Sequence, residues 1–429
     1  MIRKLLILLV LACLPTMSHA DEAGPVMRQW YKLVLELVRH TPTYSPPVAS
    51  RAFAYLGVTG YEVVVSGTPG LTTLSGQLNG LAPLPVRPRM VYDEGVVMQA
   101  AMAATVRSFF GNTGPSGQQA MDRMEAALDR QVSDGVAADV VERSTAFGQQ
   151  IARHILDWSA SDGGAVIENM GFPRDWVLNP APGHWKPTST VAVQQAPLLP
   201  AWGQNRPFAM PAGSTCDLPP PPPYSEDPAS EFMVNAQEVY DISRSLTPEQ
   251  KKIARFWSDD PMLSPTPPGH WLSIVLTLVD REKLDTPRTA DALMRIGVGV
   301  ADGFIGCWWA KFEYDYIRPV TAIRALIDPK WETLLITPPF PEYPSGHSTQ
   351  SGAAAAVLTS VFGEDFAFDD PTHEDDGIPA RHFTSFRAAA EEAAASRLYG
   401  GIHFRPANEA GLTQGECIGA YTVALRTLP

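Results

Sequence analysis

The run TPRTADALMRIGVGVADGFIGCWWAKFEYDYI, Thr286–Ile317, decides the class of fold. Its apolar residues recur with helical periodicity, and the helix must stop at Arg318-Pro319, because a proline disfavours helix at the residue before it. The apolar middle, Ile296 to Trp309, is broken by Asp302. It falls short of the roughly 20 apolar residues that a membrane span needs. The run reads as a long helix of a globular protein.

Working outward, residues 27–66 and 91–159 read as amphipathic helices separated by proline and glycine, and helical periodicity resumes from Ser230 to Trp257. Two further helices are expected after Pro319, at about Ser348–Phe362 and Phe383–Leu398, the second ending at Gly400-Gly401. Strand-like alternation is scarce. Between Asn169 and Pro228 the pattern becomes irregular, with PGHWKPTS, PAWGQNRPFAMP and five consecutive prolines at 219–223, an extended surface crossing. The expected class is all-α. Its divisions are a leader over 1–20, an N-terminal helical region over 21–168, a proline-rich crossing over 169–228 and a C-terminal helical bundle over 229–429.

The leader reading rests on Arg3 and Lys4, the apolar run Leu5–Leu14, the break at Pro15, and small residues Ser18 and Ala20 at cleavage positions. Loss of residues 1–20 moves the formal charge from -13 to -15, which disfavours nucleic acid and acidic membranes as partners. No membrane anchor is expected after cleavage. Cys216, Cys307 and Cys417 then remain, with no CxxC or zinc spacing; they allow one disulfide but no cysteine framework. The oligomeric state has no signal in the sequence.

Three segments carry chemistry. In PEYPSGHSTQSGAAAAVL, Pro341–Leu358, Ser345, Gly346 and His347 stand where an Ala-rich helix begins, so unpaired first-turn amides, a hydroxyl and a titratable ring share one helix end. A serine N-cap beside a satisfied histidine explains that tetrapeptide equally well. In KFEYDYIRPV, Lys311 and Arg318 are spaced nearly two helical turns apart, so both heads can lie on one side; Glu313 and Asp315 offer local ion-pair partners instead. In SRLYGGIHF, Arg397 precedes His403 across a glycine pair that ends the helix and turns the chain. Together the segments supply three cations, a hydroxyl, a backbone amide and two histidines. That inventory suits a tetrahedral oxyanion.

In this order, KFEYDYIRP, PSGH and SRLYGGIH resemble the tripartite signature of the vanadium-dependent haloperoxidases and of the related type 2 phosphatidic acid phosphatases and bacterial acid phosphatases. The likeness spans about Cys307–Gly411; PPFPEYPSGHST and SRLYGGIHFR are closer to the haloperoxidase branch, and PGHWKPT and PAWGQNRPFAM are similar to bacterial members. The resemblance implies an all-α helical-bundle fold and vanadate as cofactor. It implies that His403 bonds vanadium, that His347 is the acid-base histidine, and that Lys311, Arg318, Ser345, Gly346 and Arg397 hold the oxyanion. Trp308 and Phe340 match residues lining the halide side of chloroperoxidase-like members. The family commonly has an aspartate four residues after the last histidine; here that position is Ala407, and Asn408 and Glu409 are the neighbours that could replace it.

The implied activity is oxidation of halide by hydrogen peroxide to hypohalous acid, with an organic acceptor downstream; Lys311 would polarise the bound peroxide. The alternative is a secreted acid phosphatase, with phosphate as substrate and His403 as nucleophile. A third, noncatalytic reading keeps the pocket as an oxyanion-binding module. The expected location is periplasmic or secreted. N-terminal sequencing of exported protein should find a chain beginning near Asp21; exported chain that still begins at Met1 would refute the leader.

Overall fold

The computed structural model describes residues 22–260, 262 and 264–429. The leader expected over 1–20 lies outside the described residues. The N-terminal half contains α1 (Ala23–Arg39), α2 (Pro46–Gly67), α3 (Glu94–Phe109), α4 (Pro115–Ser133), α5 (Ala138–Ser159) and the one-turn α6 (Gly164–Ile167). The C-terminal half contains α7 (Glu231–Ser245), α8 (Pro248–Phe256), α9 (Thr266–Glu282), α10 (Thr286–Tyr314), α11 (Pro319–Leu326), α12 (Gly346–Phe362), α13 (Phe386–Tyr399) and α14 (Arg405–Val423). Two three-residue strands, β1 (Phe368–Asp370) and β2 (Arg381–Phe383), form an antiparallel hairpin with Phe368 opposite Phe383. The fold is all-α, as the sequence predicts.

Helix α10 is the axis. Asp285 caps it, accepting from the Arg288 amide at 2.9 Å, and Pro287 occupies its first turn. Nearly every residue from Thr289 to Trp308 is buried, so the helix must be walled on all sides. Gly57 and Gly297 let α2 and α10 touch backbone to backbone: a Cβ on Gly57 would lie 2.7 Å from Met294 Cα. On other faces lie α12 and α14, which also pack against each other; a Cβ on Gly415 would meet the Thr349 carbonyl at 2.1 Å. One hydrophobic cluster therefore runs from α1 through α10 to α13.

Asp302 is fully buried, and its carboxylate accepts from the Phe208, Ala209 and Met210 amides at 2.6, 2.8 and 3.0 Å. It pins the PAWGQNRPFAM segment onto α10. The PGHW segment closes the end of α10: Trp185 N–H donates to the Asp315 carbonyl and His184 Nδ1 lies 3.1 Å from Asp315 Oδ2. The polyproline run crosses the surface, with the Tyr343 hydroxyl donating to the Pro219 carbonyl and the Tyr316 hydroxyl to that of Pro222.

Four expectations need correction. Helix α10 ends at Tyr314, not Ile317, because Asp315 turns into the left-handed region at φ 44°. Lys311 and Arg318 therefore do not share a helix face; Arg318 is the N-cap residue of α11. Beyond the two helices expected after Pro319, α11 and α14 are present: Pro319 opens α11 rather than only ending a helix, and Pro406 sits in the first turn of α14. The last of the expected helices begins at Phe386 because Arg381–Phe383 pairs as a strand and Ser385 caps the helix.

Cys216 and Cys417 form a disulfide that ties the loop before the polyproline run to α14, and Cys307 is free and buried. It closes a sequence separation of 201 residues. A cross-link of that length stabilises by restricting the unfolded chain, so replacing both cysteines by serine should cost about 2–5 kcal/mol in denaturant unfolding. Reductant should bring the native protein to the midpoint of the double variant. Coincident midpoints before reduction would show that the bridge contributes nothing.

Candidate functional site

The three sequence segments converge on the N-terminus of α12. Lys311 comes from the last turn of α10, Arg318 from the start of α11, Arg397 from the last turn of α13, and His403 from the turn into α14. Ser345 is the N-cap of α12, its Oγ accepting from the Ser348 amide, and Gly346 and His347 form the first turn. Lys311, Arg318 and Ser345 are fully buried; Arg397 and His403 are each 3% exposed. A second hydrophobic cluster supports these loops from below, including Ile317, Tyr343, Leu398, Phe404 and Ala407.

The tautomer of His403 is set by its neighbours. Arg318 Nη1 approaches Nε2 at 3.1 Å and Glu342 Oε1 lies 2.9 Å from Nδ1. A guanidinium only donates and a carboxylate only accepts, so Nδ1 carries the hydrogen and Nε2 holds the lone pair. Burial, then the Arg318, Lys311 and Arg397 charges, hold the ring well below its ordinary pKa. It is a neutral imidazole with an available ligand atom.

Glu342 is the residue that sequence reasoning missed. Ala407 cannot orient His403: it packs in the supporting apolar cluster and meets Ser345 only through its carbonyl, which accepts the Ser345 amide at 3.0 Å. Asn408 Oδ1 lies 3.5 Å from Ser348 Oγ, and Glu409 is exposed. Glu342, fully buried, reaches His403 from the other side of the pocket and is itself fixed by the Phe404 amide at 2.8 Å. Burial raises its carboxyl to about 7 against the pull of Arg318. A single acidic residue inside the apolar, proline-rich run Pro338–Pro344, next in sequence to an oxyanion motif, was the available signal.

The cations are held unequally. The Lys311 ammonium donates to the carbonyls of Pro341, Glu342 and Pro344 at 2.8, 2.9 and 2.5 Å, which uses all three of its hydrogens. It fastens the loop before α12, and burial brings it down to about 7. Arg318 donates to the carbonyls of Phe340 and Ile402, but its Nη2 is buried without a partner. Arg397 donates from Nη1 to the Trp257 carbonyl, and its Nε is likewise buried and unpartnered. Burial lowers both guanidinium groups to about 10. His347 Nε2 is a third such atom, 3.6 Å from Asp259 Oδ2, beyond hydrogen-bond reach. Burial, followed by the Arg397 charge, lowers His347 to about 4.

Trp308 and Phe340 pack with ring centroids 4.9 Å apart and planes inclined by 51° beside the loop. The Trp308 N–H is engaged by the Leu198 carbonyl, and the Phe340 ring meets Lys311 and Arg318 at 5.2 and 5.1 Å. Beside them Gly346 leaves room, since a Cβ there would meet only ordinary contacts with Trp308, Cys307 and Phe304.

Comparison with known proteins gives this geometry its family. Residues 291–427 match the VCPO second helical-bundle domain. The crystal structure of the first bacterial vanadium-dependent iodoperoxidase is similar at 36% identity and a TM-score of 0.87, over 94% of this chain and 97% of that one. The vanadium-dependent bromoperoxidase of Ascophyllum nodosum is 33% identical over 134 residues, 27% of this chain but only 23% of its own length. The vanadium chloroperoxidase of Curvularia inaequalis is 24% identical across 88% of this chain and 78% of its own. The chain belongs to the vanadium-dependent haloperoxidases, enzymes whose cofactor is vanadate.

The residues present fit that anion. Arg318 Nη2, Arg397 Nε and His347 Nε2 are buried and unpartnered around one helix N-terminus, and each such atom costs about 1–3 kcal/mol until an acceptor or donor meets it. Oxyanion oxygens would satisfy them. Glu342→Gln should weaken vanadate binding about 10- to 100-fold, the usual consequence of disturbing the group that orients a ligand histidine. Titration of the cofactor-free protein with vanadate checks this, with exposed Glu409→Gln as the control; equal affinity in both would remove Glu342 from the site.

Proposed function

We propose that the protein oxidises halide with hydrogen peroxide in a vanadate-dependent reaction: halide, peroxide and one proton give hypohalous acid and water. The observation that carries this reading is the set of unpartnered buried nitrogens facing a helix N-terminus beside a histidine whose Nε2 lone pair is presented by Glu342 and Arg318. Vanadate supplies a Lewis-acid centre that polarises peroxide without a change of oxidation state.

His403 supplies the ligand atom, Nε2. Arg318 and Arg397 would hold the anion's oxygens through Nη2 and Nε, with the Ser345 hydroxyl and Gly346 amide as neutral donors. Lys311 acts first through position, since it holds the carbonyls of Pro341, Glu342 and Pro344. Its charge stands next to the site, and a bound anion favours the protonated form. His347 moves the proton. At about 4 it is an unprotonated base at neutral pH, and an anion next to it raises its proton affinity toward the working range. Trp308 and Phe340 shape the apolar wall where halide approaches. Small molecules of this kind, with an organic acceptor for the hypohalous acid, are the proposed partners.

We also propose export to the periplasm or beyond. The Cys216–Cys417 disulfide supports an oxidising compartment, and no helix among the described residues is long and apolar enough to cross a membrane.

Reconstitution with vanadate tests the reaction: halide oxidation should require vanadate, and metal-free phosphoester hydrolysis that vanadate inhibits would instead mark a phosphatase. His403→Ala should abolish tight vanadate binding. His347→Ala should retain vanadate and lose about a hundredfold or more in turnover, the scale of lost acid-base help. Equal loss of affinity in both variants would mean that the two roles are misassigned.

A further inference from the structure

Behind His347 lies a buried group of charges that the oxyanion site does not use. His270, in the second turn of α9, is fully buried, with its Nδ1 2.9 Å from Asp259 Oδ1 and its Nε2 2.8 Å from Asp370 Oδ2. Trp257 stacks on the ring at 4.6 Å and 19°. Asp370 is fixed in turn: its Oδ1 accepts from the Thr372 amide and hydroxyl at 3.1 and 2.6 Å. It stands at the end of β1, so the unexpected hairpin places a carboxylate beneath this histidine. Asp259 sits in a left-handed backbone conformation, φ 48°, that a non-glycine residue adopts only under constraint.

We propose that His270 is a positioning residue for the reaction, an imidazolium locked between Asp259 and Asp370 that turns the free oxygen of Asp259 toward His347. Two ionised carboxylates have no hydrogen to give, so both ring nitrogens of His270 must donate, and the ring is doubly protonated. Asp259 Oδ1 is taken by His270 and stands 3.4 Å from His373 Nε2. Its Oδ2 is left buried and unpartnered, 3.6 Å from the equally unpartnered His347 Nε2. The two orphaned atoms face each other, and their gap closes to a hydrogen bond when His347 takes up a proton. Burial alone would lower the His270 pKa, but Asp259 and Asp370 raise it to about 10.

Other charges face this cluster. Arg397 stands on the His347 side and Asp260 beside Arg397 and Asp259, while Asp376, paired with Arg39, backs His373 at 3.3 Å from Nδ1. Asp259, His270 and His373 also bring ligand atoms within 4.8 Å of one another, a spacing that a divalent cation could use. The relay is favoured because His270 engages a carboxylate at hydrogen-bond distance from each ring nitrogen and has no exposed surface.

This inference rests on the haloperoxidase reading, and its test separates the two. In vanadate-free mature protein carrying 15N-histidine, without the leader's His19, eight ring systems are to be resolved; His270, assigned by its absence from His270→Gln, should keep two ring N–H groups at pH 8 and lose that state in Asp370→Asn. In the loaded enzyme, His270→Gln, Asp370→Asn and Asp259→Asn should each shift the pH profile of turnover and lower kcat about tenfold or more, the scale of disturbed acid-base help. Vanadate affinity should change by less than about threefold, which general collapse of the site would not allow. The His270→Gln, Asp259→Asn double variant should be no worse than the poorer single variant, as expected of groups acting through one contact. A neutral His270 at pH 8, an unshifted profile, or one equivalent of divalent metal on the purified protein would overturn the relay. Absence of halide oxidation in the unmutated protein would sink the haloperoxidase reading and leave the ring-protonation test standing.

Discussion

Desolvated positive charge is the constraint on which the site depends. Lys311, Arg318 and Arg397 are withdrawn from water together, and two like charges 4 Å apart repel by about 4 kcal/mol at the effective dielectric of a protein. The fold answers this with oxygens. Lys311 is surrounded by three carbonyls, Arg318 reaches two, and Arg397 reaches one. Each cation is thus held in place by backbone, and the nitrogens left over face the same helix end. A cradle built this way is rigid before any anion arrives, so little ordering remains to be done on binding.

The same constraint explains why neighbouring elements are shaped as they are. Three carbonyls can point at one ammonium only if the chain from Pro341 to Pro344 runs without regular structure, and prolines with no amide to leave unpaired suit such a path. Glu342 lies within it because its carbonyl serves Lys311 while its carboxylate serves His403 and Phe404. One residue joins Lys311 to His403.

Legibility from the sequence followed the distance over which each interaction acts. The long helices were readable because periodicity and capping are local, as in Asp285 ahead of α10, and so were the three motifs, whose members lie a few residues apart. Lys311 and Arg318 both reach the Phe340 ring because the chain turns at Asp315, not through the helical spacing read from the sequence. Glu342 was passed over because its role depends on a contact with His403, 61 residues away, which no spacing rule reaches. Asp259 and Asp370 lie outside the three motifs, and the hairpin that carries Asp370 is too short to show alternation.

In the proposed function, two histidines of the same type take opposite tasks through the carboxylates set behind them. Glu342 accepts from His403 Nδ1 and so keeps the lone pair on Nε2, which the Arg318 guanidinium approaches, and the surrounding cations keep a proton off it. A ring so held can bond a metal but is a poor proton carrier. His347 stands differently: its Nε2 faces Asp259 across 3.6 Å, and its proton affinity rises with any negative charge brought near. Exchange of the two carboxylate geometries would exchange the two roles. The proposed division between ligand and base is therefore written less in the histidines themselves than in Glu342 and Asp259, the buried acids that His403 and His347 respectively face.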